Sequence, residues 1–341
     1  MLRLPAFAPS FPATVDEAVR IKTAHGLDAS YVAGGTDLYP NMKRLQQTPR
    51  RVIDIRRVPE LGLLDRGAEG QLRIGSAVTL TRLIHHPLVR QEWPVLSRAA
   101  ATISTPILQN MGTVGGNLLL DTRCNYYDQT YEWRRAIDFC MKKDGKICWV
   151  APSSPRCWAV QSSDLAPVMV ALGARVILMG PKGSRSIPAA SLYRNDGIEF
   201  LTKHPDELLV RIEVPALRTS RADYQKLRRR GAFDFPVLGV AAWVDLDSQG
   251  LVHAARIVVG AVGSWPMESE EAAKVLVGQP LTDESITAAA TAAARRAKPL
   301  DNTDFTIGWR KDMVPVYVRR ALVNLLRPSS PSDAAGLPPA G

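Results

Sequence analysis

The stretch Val32-Ala33-Gly34-Gly35-Thr36-Asp37-Leu38 sets two glycines directly behind a short apolar strand, Ala29–Val32. Glycines at that place let successive backbone N–H groups turn into one concavity, which grips a phosphate without side-chain charge. Thr36 adds a hydroxyl donor. The spacing is not G-x-G-x-x-G, so a Rossmann dinucleotide site is not indicated, and a simple tight turn is the alternative. A second stretch, Asn110-Met111-Gly112-Thr113-Val114-Gly115-Gly116-Asn117, packs three glycines and three polar residues into eight positions. Two such loops are harder to read as turns, yet spacing alone leaves turn and phosphate site both open.

The rest of the chain divides around these loops. Residues 1–57 read as a small α/β unit, with a helix opened by Thr14 and Glu17 in capping-box spacing. Residues 58–216 read as a larger α/β unit that includes a hairpin at 175–187 turning on Gly180-Pro181-Lys182-Gly183. Inside it, residues 118–162 differ in composition and read as an insertion with its own small core. They hold all four cysteines and seven of the 22 aromatic residues. Residues 217–327 read as an α+β unit with strands at 237–245 and 252–262 and helices at 268–276, 283–296 and 314–326. Residues 328–341, rich in Pro, Ser, Ala and Gly, are expected to be disordered.

Bulk properties exclude several classes. The longest apolar run, 165–176, is broken by Arg175 and falls short of the ~18 residues that span a bilayer. Residues 1–12 carry three prolines and no continuous apolar stretch, which is not the pattern of a secretory signal, so a cytoplasmic protein is expected. The net charge of +10 is spread along the chain, and its one dense run, Lys226 with Arg228, Arg229 and Arg230, sits in no nucleic-acid module. No nucleic-acid partner is expected. A solvated basic face and a site for something acidic are the two readings of the charge. His85 and His86 are adjacent and point apart on a helix, so they read as surface rather than as a metal pair.

The two glycine loops, Ser163-Asp164-Leu165-Ala166-Pro167 leading into Ala171-Leu172-Gly173-Ala174, and Gly260-Ala261-Val262-Gly263 with Pro266 occur in an order that resembles the flavoprotein subunits of the xanthine dehydrogenase family of molybdenum hydroxylases. The resemblance runs over residues 1–326. It implies an α+β protein: a vanillyl-alcohol-oxidase (PCMH-type) FAD-binding fold of two α/β subdomains, here 1–57 and 58–216, plus a C-terminal α+β domain. It further implies FAD held by Val32, Ala33, Gly34, Gly35, Thr36, Asp37 and Leu38 of the first loop and Thr113, Gly115, Gly116 and Asn117 of the second. Asp164 falls on a flavin-contacting aspartate and Lys226 on a lysine near the flavin.

Asn117 and Asp164 stand 47 positions apart, so the insertion splits the flavin motif itself. Its cysteines, Cys124, Cys140, Cys148 and Cys157, are spaced by 16, 8 and 9. Zinc more often takes C-x₂₋₄-C pairs, whereas wide spacing suits a larger object held from several sides, such as a [4Fe–4S] cube. A Cys₄ zinc insert that serves only for docking, on a scaffold without flavin, is the alternative of another class. An insertion of this size and place resembles the branch of the family formed by the β subunits of 4-hydroxybenzoyl-CoA reductases, which implies a [4Fe–4S] cluster on these four cysteines. It also implies partner subunits carrying [2Fe–2S] centres and a molybdenum cofactor in a hetero-oligomer, a dimer of heterotrimers. Arg134, Arg135, Lys142 and Lys143 make the rim of the insertion basic, which reads first as a solvated edge and otherwise as a docking place for an acidic, ferredoxin-like donor. The substrate site is then on a partner, with no catalytic residue in this chain. The reverse electron flow, from a xanthine, aldehyde or aromatic substrate outward, is the alternative within the family. Because FAD and cluster use different segments, Cys140→Ser is expected to remove iron and leave FAD bound.

Overall fold

The computed structural model describes residues 2–326, so the segment 328–341 lies outside it. The first loop is launched from a three-stranded parallel sheet, β1 (Ala8–Ser10), β2 (Ala29–Val32) and β3 (Arg51–Asp54), in the order β1-β3-β2. The helix Val15–His25 packs Val15, Ala18 and Val19 on this sheet. Thr14 Oγ1 accepts from Glu17 N at 3.2 Å, while the Glu17 carboxylate reaches back one residue further than in a capping box, to Ala13 N at 2.7 Å.

The second sheet is antiparallel: β4 (Leu64–Arg66), β5 (Leu72–Gly75), β6 (Arg175–Gly180), β7 (Gly183–Pro188) and β8 (Leu208–Val214), in the order β4-β5-β8-β6-β7. One face carries the helices Pro94–Ala101 and Leu165–Ala171, and every residue of the latter is buried. Leu208 and Val210 of β8 also enter the core of the first sheet, which joins the two lobes on either side of the glycine loops.

A third sheet of β9 (Arg221–Leu227), β10 (Leu238–Leu246), β11 (Val252–Gly260) and β12 (Met267–Glu268) has the order β12-β11-β10-β9. Alternation along β10 sends Val240, Ala242 and Val244 to the helices Glu270–Leu276, Asp283–Arg296 and Ile307–Leu326, and Ala241 to the core of the second sheet. The last helix begins seven residues before the expected 314, because Pro315 interrupts a pattern that the buried Arg310 and Val314 carry through. The observed α+β architecture, two α/β lobes followed by an α+β unit, is the fold expected.

The insertion leaves and re-enters at one point. Arg123 and Val160 exchange both backbone hydrogen bonds at 2.8 Å, and Ser163 Oγ donates to Asn117 Oδ1 at 2.7 Å, so residues 46 apart in sequence close the gap. The insertion is also pinned to the third unit. Asn125 N donates to Asn302 O, and Asn302 Nδ2 to Trp158 O at 2.7 Å. Behind Asn302 lies Arg310, fully buried, whose guanidinium donates to Leu300 O, Ala261 O, Val237 O and Asn302 Oδ1. Burial lowers its pKa to about 10.

Removing that fork strands several buried acceptors, each costing about 1–3 kcal/mol. Arg310→Met is therefore expected to lower stability by about 3 kcal/mol or more, read as a fall in the urea unfolding midpoint at unchanged slope. An unchanged midpoint contradicts the role given to Arg310.

Candidate functional site

Both glycine loops line one cavity of about 440 Å³, within the range of about 300–1,000 Å³ typical of small-molecule and cofactor sites. Val32 through Leu38 form one wall, and Thr113, Gly115, Gly116 and Asn117 another. The loops touch backbone to backbone. A Cβ on Gly34 would stand 1.7 Å from Met111 O, and one on Gly115 2.5 Å from Ser76 Cβ. Gly35 has φ +70°, a conformation open to glycine, and the Tyr39 ring lies against it.

The two loops differ in what they offer. In the second, Val114 N bonds Val78 O, Gly115 N bonds Ser76 O, Gly116 N bonds Thr113 Oγ1 and Asn117 N bonds Thr113 O. Its glycines serve close approach rather than donation. In the first, the N–H groups of Gly34, Gly35, Thr36 and Asp37 make no hydrogen bond within the described chain. Four consecutive open donors on a cavity wall fit the pyrophosphate of a dinucleotide. The far wall adds Lys22, Tyr31, Lys203 and Glu207. Burial lowers Lys203 to about 8, and its ammonium donates to His204 O and Glu207 O. No sequence signal set Lys22 or Lys203 apart from other helix and loop lysines.

Asp164 and Lys226 meet each other instead of lining the cavity. Lys226 Nζ donates to Asp164 Oδ2 at 2.9 Å and to Thr102 O at 3.0 Å, and Tyr224 OH donates to Asp164 Oδ1 at 2.8 Å. Burial raises the Asp164 carboxyl and lowers the Lys226 ammonium, and each partner opposes the other's shift. The flanking residues face the second loop: Ser163 Oγ and Leu165 N both donate to Asn117 Oδ1.

The four cysteines are free, buried and gathered around a second, small cavity that they share with Tyr126, Tyr127, Met141, Lys142, Trp149 and Val150. Among the described residues, no three His, Cys, Asp or Glu side chains are arranged to hold one metal ion; the thiols surround a space. Burial pushes the Cys124 thiol up to about 12, with Cys157 and Cys140 adding to the rise, and pushes Cys157 up to about 11, with Cys148 and Cys140 adding. A metal centre held here, zinc or iron–sulfur, would have to supply the positive charge that turns these buried thiols into thiolates. Asp138, Phe139 and Asp144 all have positive φ around Cys140, and a Cβ on Gly145 would meet Cys140 N at 2.7 Å. The backbone is thus bent tightly to present that thiol.

The fold and the first cavity define a two-lobed flavin-binding protein, and comparison with known proteins agrees. Residues 5–217 match the FAD binding domain in molybdopterin dehydrogenase, and residues 222–325 match the CO dehydrogenase flavoprotein C-terminal domain. The chain is 34% identical, over 72% of its length and 78% of the relative's, to the aldehyde oxidoreductase FAD-binding subunit of Escherichia coli. It is 28% identical to the 6-hydroxypseudooxynicotine dehydrogenase complex subunit alpha of Paenarthrobacter nicotinovorans, covering 97% and 98% of the two chains. A solved carbon monoxide dehydrogenase chain from Hydrogenophaga pseudoflava superposes with a TM-score of 0.78 at 27% identity, covering 95% and 98%. The chain belongs to the FAD-binding subunits of the xanthine dehydrogenase and CO dehydrogenase family of molybdenum-dependent oxidoreductases.

Gly34→Ala forces a methyl group into the Met111 carbonyl. Overpacking of this kind is expected to weaken FAD binding about 100-fold, equivalent to about 3 kcal/mol. Flavin fluorescence titration of the refolded apoprotein measures it, and binding within twofold of wild type refutes the loop contact as the basis of the site.

Proposed function

We propose that this chain is an FAD- and iron–sulfur-carrying electron-transfer subunit of a molybdenum-dependent oxidoreductase whose substrate is oxidised on a partner subunit. The observation that carries the proposal is the pairing of two neighbouring cavities, one between the two lobes with four open N–H donors and one inside the insertion ringed by four thiols. Within the loop 32–38, the open N–H groups of Gly34, Gly35, Thr36 and Asp37 hold the FAD pyrophosphate, and Thr113, Gly115, Gly116 and Asn117 shape the facing wall. Asp164 and Lys226 act from behind, where their ion pair fixes the segment that bonds Asn117. Cys124, Cys140, Cys148 and Cys157 ligate one [4Fe–4S] cluster, and Tyr126, Tyr127 and Trp149 shield it from water. When bound, FAD exchanges one or two electrons and the cluster one, and the chain fixes their positions and potentials.

The partners proposed are a molybdenum-cofactor subunit and a [2Fe–2S] subunit in a dimer of heterotrimers. Relatives named as dehydrogenases or oxidoreductases favour electrons running outward from substrate, and the relative at 34% identity makes an aldehyde the first substrate to assay. A second reading, reductive dehydroxylation of 4-hydroxybenzoyl-CoA with electrons running inward, is favoured by the four-cysteine insertion.

The complex purified anaerobically with its own partners separates the two. The first reading expects an aldehyde to bleach the flavin absorbance with no added reductant. If no aldehyde or heteroaromatic does so, while 4-hydroxybenzoyl-CoA reoxidises the pre-reduced complex, the second reading replaces the first.

A further inference from the structure

The two cavities have a common wall, and its centre is Asp121. This residue lines the flavin cavity, and its carboxylate accepts from Tyr127 OH at 2.9 Å, Lys142 Nζ at 2.9 Å and Gln47 Nε2 at 3.2 Å. Tyr127 and Lys142 line the cysteine cavity. The Lys142 ammonium is nearly buried, lies 4.8 Å from the Tyr127 ring and 5.5 Å from that of Phe200, and Phe200 faces the flavin side. Lys142 also donates to Thr122 Oγ1 and Gly197 O, and Gly197 N donates to Cys157 O at 2.9 Å. A Cβ on Gly197 would stand 2.6 Å from Cys157 Sγ, so this backbone lies directly against a ligand thiol.

A second tie runs beside it. Arg123 pairs with Asp37 of the first glycine loop and with Asp128, and Asp128 accepts from Cys124 N at 3.2 Å. Its guanidinium also lies 4.7 Å from the ring of Phe235, another flavin-cavity residue.

We propose that this wall couples the sites: filling the cysteine cavity stiffens the loops from which Tyr127 and Lys142 hold Asp121 in place and charge-paired, so cluster occupancy raises FAD affinity. This rests on the reading of the four cysteines as a cluster site. The physical reason is charge. FAD brings a dianionic pyrophosphate, and a nearly buried carboxylate in the same cavity opposes it unless a cation stays beside that carboxylate. Lys142 follows Cys140 by two positions, and Tyr127 follows Cys124 by three, so slackening of the ligand loops displaces both partners of Asp121 at once. On this proposal Cys140→Ser, expected from sequence to lose iron and keep FAD, keeps it more weakly, because Asp121 of the insertion lines the flavin cavity and Arg123 pairs with Asp37 of its first loop.

The test uses the full-length chain prepared anaerobically, with iron and sulfide measured on every sample and FAD affinity measured by fluorescence titration. Iron-loaded wild type is expected to bind FAD about tenfold more tightly than iron-free Cys140→Ser, within the 5–150-fold range of typical site–site coupling. Tyr127→Phe, which removes only one hydroxyl, is expected to keep its iron and still bind FAD several-fold more weakly. Linkage requires the reverse effect as well, so saturating FAD should raise iron retention at equilibrium with a chelator by the same factor. Equal FAD affinity in iron-loaded wild type, Cys140→Ser and Tyr127→Phe overturns the coupling and leaves the cluster reading intact. A wild-type chain that binds no iron overturns the cluster reading, and the coupling falls with it.

Discussion

The structure depends on one close approach, that of the Gly34 backbone to the Met111 carbonyl. A side chain at position 34 would stand 1.7 Å from that oxygen, so the two loops meet only through bare backbone. Each lobe brings one loop to this meeting, and the cavity is the space left beside it. The division of labour follows. The second loop spends its N–H groups on Ser76, Val78 and Thr113 to stay rigid, and the first keeps its own open for a ligand.

The insertion respects this constraint although it interrupts the motif. Its ends are joined by the Arg123–Val160 pair, so the chain resumes at Ser163 within reach of Asn117 as if nothing intervened. What the extra residues add is a second set of walls. Asp121 and Arg123 face the flavin side, Tyr127 and Lys142 face the thiols, and ion pairs and hydrogen bonds cross between them. The insertion also bonds the third unit through Asn302, itself held by Arg310. A segment fixed at both sides can keep four thiols in a strained arrangement around Cys140.

Much of this was legible in the sequence, for physical reasons that also explain what was not. Gly34-Gly35 and Gly115-Gly116 stand out because only glycine allows such contact, and clustered cysteines stand out because the type is rare. β10 and β11 follow the period-2 rule of a sheet between two apolar layers. The strand β9 was hidden because Leu227 is its one buried aliphatic residue: Asp223, Tyr224 and the side chain of Lys226 turn inward to partners on other elements. Its basic neighbours therefore read as a surface run. Likewise Asp121, Lys142 and Arg123 carry no local pattern, since their partners come from distant segments. The distinction between a donating and a structural glycine loop is likewise invisible until the third dimension assigns each N–H its acceptor.

The central claim is that this chain holds both a flavin, between its two lobes, and a cluster, in the insertion beside it. Cofactor content of the anaerobically purified complex, by flavin absorbance, metal analysis and electron paramagnetic resonance after reduction, tests it most directly. The account predicts one FAD and about four irons with matching sulfide in this chain, the set of one [4Fe–4S] cluster. Zinc in place of iron, with no flavin bound, would contradict it.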